Sequence, residues 1–207
     1  MRALLGLLTI ATFAGDSRLA DLLMQGDSAA ARHLLTGQKL DVNVAQGDGM
    51  TPLHWAAHHD DLETARLLLA AGANVNAETR LGGITPLFMA CTNGNPHIIA
   101  LLLKSGASAK AVKSNGTTAL MIAAASGSTD SVKTLLDAGA DINATEKAHG
   151  QTALMFAAAL NRADVATYLL ASHADASIAT VIKKLERVRF DSPSLKRTTS
   201  TSPSGAP

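Results

Sequence analysis

Four copies of one seven-residue motif recur along the chain. They are Thr51-Pro-Leu-His-Trp-Ala-Ala57, Thr85-Pro-Leu-Phe-Met-Ala-Cys91, Thr118-Ala-Leu-Met-Ile-Ala-Ala124 and Thr152-Ala-Leu-Met-Phe-Ala-Ala158, starting 34, 33 and 34 residues apart. A second motif follows each at a fixed distance: Ala71-Gly-Ala-Asn-Val-Asn76, Ser105-Gly-Ala-Ser-Ala-Lys110, Ala138-Gly-Ala-Asp-Ile-Asn143 and Ser172-His-Ala-Asp-Ala-Ser177. A period this short and this well kept excludes one globular core and requires a stack of small units, each burying its neighbour's face.

Each unit reads as two short helices. The motif Thr is an N-cap, and Pro52 and Pro86 follow it at the first helical position, where a missing N–H is harmless. Leu and the paired Ala make one apolar face, on which Ala permits close approach. Gly94 and Gly127 separate the first helix from the second. The second carries a Leu pair inward: Leu67-Leu68, Leu102-Leu103, Leu135-Leu136 and Leu169-Leu170. Gly72, Gly106 and Gly139 fall just after its last turn, where a left-handed residue is wanted. Asn or Asp then turns the chain toward the next Thr. Composition agrees. The 207 residues are 47% hydrophobic but only 3% aromatic, so the core is built of Ala and Leu, both good helix formers.

These motifs resemble the ankyrin repeat, with Thr51 to Ala57 and Ala71 to Asn76 carrying the likeness over roughly residues 16–177. The resemblance implies an all-α ankyrin-repeat solenoid, helix-turn-helix units joined by hairpin loops, with repeats at about 46–79, 80–112, 113–146 and 147–177. Residues 16–45 resemble a degenerate first repeat: Leu19, Leu22, Gly26, Leu34-Leu35 and Asp41-Val-Asn43 keep phase without the Thr-Pro-Leu-His start. The family histidine survives only as His54; Phe88, Met121 and Met155 replace it. Lys110 and Ser177 replace the turn Asn and His173 the Gly, so the fourth repeat is expected to be the loosest.

The ends differ from the body. Arg2 and an apolar run from Ala3 to Phe13, with small residues at Thr12 and Ala14, fit a secretory signal peptide cleaved after Ala14. The run is shorter than the roughly 20 residues a membrane span needs. The plain alternative is an apolar first helix packed on the body. With its start and its cap-like first repeat, the chain is similar to exported bacterial ankyrin-repeat proteins, and the expected location is periplasmic or secreted; without a signal it is cytoplasmic. Residues 178–190 form a candidate capping helix, with Val181, Leu185 and Val188 at helical spacing. Residues 191–207 are rich in Ser, Thr and Pro and are expected to be disordered. Net charge is +1 overall, but six basic residues between Lys183 and Arg197 face two acids, Glu186 and Asp191. A solvated tail is the simplest reading, and nothing in the overall charge points to nucleic acid.

Chemistry is sparse. Cys91 is the only cysteine, which excludes an intramolecular disulfide. It occupies a buried Ala position, and His97, six residues on, has no third group to orient it as a base. His58-His59-Asp60-Asp61 is the densest polar cluster, but consecutive helical residues point about 100° apart and cannot converge on one ion. His54 and His58 have the i, i+4 spacing of a helical zinc pair, without the glutamate of the zinc-protease motif. No phosphate loop or nucleophile elbow occurs, and no cofactor is expected. Asn115-Gly-Thr117 and Asn143-Ala-Thr145 match the glycosylation sequon, with Asn143 already explained as a turn residue.

What the resemblance implies instead is a partner protein, gripped by turn tips and the exposed face of each first helix. Those positions are Asp48, Met50, His58 and His59; Leu81, Ile84, Thr92 and Asn93; Asn115, Thr117, Ala125 and Ser126; and His149, Gln151, Ala159 and Leu160. Met50, Leu81, Ile84 and Leu160 put apolar side chains where solvent is expected, the mark of an interface. Trp55 is a hot-spot residue type, in a framework position that favours partial burial. The leading expectation is a non-catalytic, monomeric scaffold. Two alternatives stand beside it: a truncated part of a longer array whose binding surface lies in missing repeats, associating end to end through an uncapped C-terminal face, or a metal or enzyme site at His54 and His58.

Overall fold

A computed structural model describes residues 17–37 and 40–179. The expected signal segment and tail lie outside these residues, as does the candidate capping helix beyond Ala179. Ten helices occur among the described residues, in five antiparallel pairs: α1 (Arg18–Met24) with α2 (Ser28–Gly37), α3 (Pro52–His58) with α4 (Leu62–Ala70), α5 (Pro86–Asn93) with α6 (Pro96–Lys104), α7 (Ala119–Ser126) with α8 (Thr129–Asp137), and α9 (Ala153–Ala159) with α10 (Ala163–Ala171). Helices of 7–10 residues are marginal alone, so their stability comes from packing.

The odd-numbered helices stack on one another as an inner layer and the even-numbered ones as an outer layer. Close stacking follows from the Ala pair: Ala56, Ala57, Ala90, Cys91, Ala123 and Ala124 are wholly buried. Leu53, Leu87 and Leu120 fill the inner layer at one repeated position. In the outer layer one leucine of each expected pair is fully buried, namely Leu68, Leu102, Leu135 and Leu169. Leu67, Leu103 and Leu136 are half-buried, and Leu170 is exposed. The fixed spacing of the buried set places the second leucine of the first pair, but the first leucine of the others, against the core.

Caps and turns differ between repeats. Thr118 Oγ1 and Thr152 Oγ1 accept from the N–H groups of Met121 and Met155. Thr85 departs from the expected capping role: its buried hydroxyl has no hydrogen-bond partner. Gly72, Gly106 and Gly139 adopt φ of 88°, 98° and 86°, the left-handed conformation that glycine tolerates. Asp60 and Asn161 adopt φ of 56° and 55° at the helix-to-helix break, where other repeats have Gly94 and Gly127.

Neighbouring repeats are also tied by their hairpins. Gln46 N–H donates to the Met50 carbonyl, Thr79 to Ile84, Lys113 to Thr117, and Glu146 to Gln151, closing four tips. Arg80 N–H then donates to the Asp48 carbonyl at 2.8 Å, and Lys147 N–H to Asn115 at 3.1 Å, so each tip leans on the one before. At the turn ends Asn43 Nδ2 donates to the Gly72 carbonyl and Asn76 Nδ2 to that of Gly106, while Asn143 Oδ1 accepts from Asp175 N–H. Lys110 occupies the corresponding place in the turn of the second full repeat and makes no such rung.

Candidate partner-binding surface

The inner helices and hairpin tips make one continuous wall. Its N-terminal end carries an aromatic cluster. Trp55 stacks on His59 with ring centroids 6.1 Å apart and meets His58 edge-on at 5.8 Å. Trp55 Nε1 donates to Gln46 Oε1 at 2.8 Å, and Gln46 Nε2 donates to Asp21 Oδ1 at 2.6 Å. This relay runs from α1 through the first hairpin to α3 and fixes the indole, which is half-buried. His58 and His59 are exposed, and Asn93 Nδ2 donates to the His58 carbonyl, tying the ends of α3 and α5 together. Sequence reasoning singled out Trp55 but missed its counterparts. Met89, Ile122 and Phe156 occupy the same motif position, all half-buried against the core, giving one apolar side chain per repeat along the wall. The signal was present: an apolar residue fills this fifth motif place in all four copies.

The proposed contact residues divide. Asp48, His58, His59, Leu81, Thr92, Asn93, Asn115, His149, Ala159 and Leu160 are exposed. Leu81, at the tip of the second hairpin, is 82% exposed and is the most solvated large apolar residue described. Thr117, Ala125, Ser126 and Gln151 are half-buried. Ala125 and Ser126 are drawn into the stack: the Ala125 carbonyl accepts from Arg162 Nε, and Ser126 Oγ donates to the Ala123 carbonyl. Two apolar assignments need correction. Met50 is only 5% exposed; the residue just before the motif Thr turns inward, beneath a hairpin closed by its own carbonyl and by Asp48 Oδ1, which accepts its N–H. Ile84 occupies the same place one repeat on and is half-buried against the core.

The titratable groups of the wall serve structure. His54 is buried, with Nδ1 accepting from Thr51 N–H at 3.1 Å and Nε2 placed 2.9 Å from the Ile84 carbonyl of the next repeat. That pairing requires the neutral imidazole protonated at Nε2, and burial pushes its pKa below the ordinary value despite the Ile84 carbonyl and Asp48. Both nitrogens are thus engaged, which removes His54 as a metal ligand beside the exposed His58. No group of three potential metal-ligating His, Cys, Asp or Glu residues converges among the described residues. Cys91 is sealed in the core, and burial pushes its thiol far up, away from a reactive thiolate. Glu146 anchors the fourth hairpin. Partial burial would raise its pKa, but the N–H groups of Gln151, Ala148 and His149 and the nearby His149 side chain together hold it low. Asp61 is similar: burial opposes its charge, but hydrogen bonds from Ser28 and Thr64 and the Arg32 guanidinium prevail.

Stacked helix pairs with hairpins lying along one wall define a helical repeat solenoid. The family model for ankyrin repeats in three copies matches residues 8–112, 78–146 and 109–180, so the chain belongs to the ankyrin-repeat family. Ankyrin repeats are in general protein-interaction scaffolds. Among curated relatives, the chain is similar to palmitoyltransferase akr1 of Schizosaccharomyces pombe, 40% identical over 26% of this chain and 8% of that protein. It is also similar to alpha-latrocrustotoxin-Lt1a of Latrodectus tredecimguttatus, 36% identical over 31% of this chain and 4% of that one. The palmitoyltransferase akr1 of Aspergillus oryzae is 35% identical over 31% of this chain and 9% of its own length. The chain thus spans less than a tenth of the length of these relatives. No described helix is long and apolar enough to cross a membrane.

Proposed function

We propose that this chain is a non-catalytic scaffold that grips a partner protein along the wall formed by its inner helices and hairpin tips. The observation that carries the reading is the lane of Trp55, Met89, Ile122 and Phe156, flanked by the exposed His58, His59 and Leu81. A half-exposed tryptophan held by hydrogen bonds and ringed by polar groups has the make-up of an interface anchor. Tips bonded to one another present the lane already ordered, so little conformational entropy is lost on binding. The likeness to palmitoyltransferases covers too little of either chain to carry their activity here.

The test is affinity capture with crosslinking, using wild type beside a variant carrying Leu81→Glu, His59→Glu and Thr92→Glu. All three side chains are exposed, so the melting temperature should stay within a few degrees of wild type. Prey held by wild type and lost by the variant supports the wall as the binding face. Equal capture by both removes it. The pattern of Arg2 followed by the apolar run to Phe13 supports export as the working compartment. Mass-spectrometric sequencing of the mature N-terminus tests this: a start at Gly15 supports export, and a retained Met1 or Arg2 overturns it.

A further inference from the structure

The hairpins differ in charge from the rest of the molecule. Residues 78–84, 110–117 and 146–151 carry Arg80, Lys110, Lys113 and Lys147 against Glu78 and Glu146. Elsewhere among the described residues acids outnumber bases twelve to six. Glu146 is buried and turns its carboxylate to the N–H groups of its own hairpin. Among the described residues no carboxylate pairs with any of the four cations. Arg80 and Lys147 hold the same hairpin position two repeats apart, and Lys113 stands one residue before that position in the repeat between. Each tip is seated on a glycine of another: a Cβ added to Gly49 would stand 2.8 Å from Arg80 N, and one on Gly116 2.8 Å from Lys147 Cγ. Lys147 Nζ reaches the Ser114 carbonyl at 3.4 Å, so the cations follow one line over the tips. Leu81 beside Arg80 is 82% exposed, and Val112 beside Lys113 is 57% exposed. Charge and apolar surface therefore alternate along the row.

We infer that this row binds an extended acidic segment of the partner protein, with a carboxylate at every third residue and apolar residues between. The inference rests on the hairpin tips being part of the binding face. Packed helices lie about 8–10 Å apart, so equivalent hairpin positions recur at about that interval. A polyproline II segment turns once in three residues and rises ~3.1 Å per residue, so residues i, i+3 and i+6 share one face about 9 Å apart. Its carboxylates then meet Arg80, Lys113 and Lys147 in turn, and the residues between them meet Leu81 and Val112. A β-strand would put i and i+3 on opposite faces. An amphipathic helix would need a broad apolar stripe to dock on, and the row offers only Leu81 and Val112. Unpaired cations facing an acidic segment supply complementarity that salt weakens, as expected of exposed charges.

The experiment measures fluorescence anisotropy with the full chain and a fluorescein-labelled peptide of four Glu-Pro-Pro triplets at low ionic strength. The comparison peptide has the same composition with its glutamates consecutive. The tip variant is Arg80→Glu/Lys113→Glu/Lys147→Glu. The control, Arg66→Glu/Lys104→Glu/Lys133→Glu, makes the same charge change at exposed positions of the outer helices α4, α6 and α8. Wild type should bind the triplet peptide more tightly than the comparison peptide. The tip variant should weaken that binding at least about tenfold, and the control should stay within about twofold. If the charge-reversed tips prevent folding, Arg80→Gln/Lys113→Gln/Lys147→Gln replaces them, with a loss in the same direction expected. No binding by wild type, equal loss in both variants, or equal binding of the two peptides overturns the inference. So does tighter binding to phosphatidylserine vesicles or duplex DNA than to the triplet peptide, in favour of a membrane or nucleic acid. The capture experiment judges the wall separately, because Leu81, His59 and Thr92 include none of the substituted cations.

Discussion

At the scale of single residues, the repeated motif conceals unequal chemistry. Thr85 and Thr118 hold the same place, yet only the Thr118 hydroxyl accepts a hydrogen bond from its helix. Thr118→Val is expected to cost about 1 kcal/mol as a lost cap. Thr85→Val is expected to fall within about 0.5 kcal/mol of zero or to stabilise, because it removes a buried hydroxyl that has no partner. Urea unfolding of the two variants makes the comparison, and equal losses would contradict it. His54 yields a pH dependence. The folded protein keeps the imidazole neutral, while the unfolded chain takes up a proton near the ordinary value of 6.5. Its share of stability is complete above that pH and declines as pH falls toward the lower folded value, because the unfolded state then binds more protons. Melting curves between pH 8 and about pH 5 should show the decline, and His54→Phe, which copies the residue of the second repeat, should flatten it.

At the scale of elements, the joints between repeats are the informative unit. Asn43, Asn76 and Asn143 each bridge to the next turn, and Lys110 does not. Lys110→Asn is expected to stabilise by about 0.5–1.5 kcal/mol, the usual net worth of one hydrogen bond, read as a higher urea midpoint at constant slope. A destabilised variant would show that the joint between α6 and α8 is spaced differently from the others. Much of this level was legible in the sequence. Two motifs in phase place eight of the ten described helices, their breaks and their turns, because the constraints recur and each copy checks the others; the first pair follows from the partial phase of Leu19, Leu22 and Leu34-Leu35. What failed was what does not recur. Asp60 adopts a left-handed conformation in a place that reads as glycine elsewhere, and only the neighbouring repeats reveal it. Met50 looked solvent-facing because hairpin residues usually are. Its direction depends on the arm of the hairpin, which alternates inward just before the Thr. The even spacing of Leu68, Leu102, Leu135 and Leu169 was available in the sequence, but adjacent leucines masked it.

At the scale of the molecule, each described helix packs against its pair and against the like helix of each neighbouring repeat, and the first and last described repeats do not pack on each other. The cost of a core truncation should therefore depend on its place in the row. Leu102→Ala, in the middle, is expected to cost about 2–5 kcal/mol and to lower protection against hydrogen exchange on both sides. Leu169→Ala removes the same group, yet it should raise exchange mainly in α9 and α10 and leave α1 to α4 close to wild type. Uniform loss across the row would mean that the stack opens as one unit.

The hairpin tips carry one more consequence. Each bonds to the tip synthesised before it, Arg80 to Asp48 and Lys147 to Asn115. A growing chain therefore meets its docking site already made, and no contact awaits a distant later segment. Folding can keep pace with the ribosome, each repeat settling as it emerges, and the apolar face exposed at any moment during synthesis is never larger than that of a single repeat.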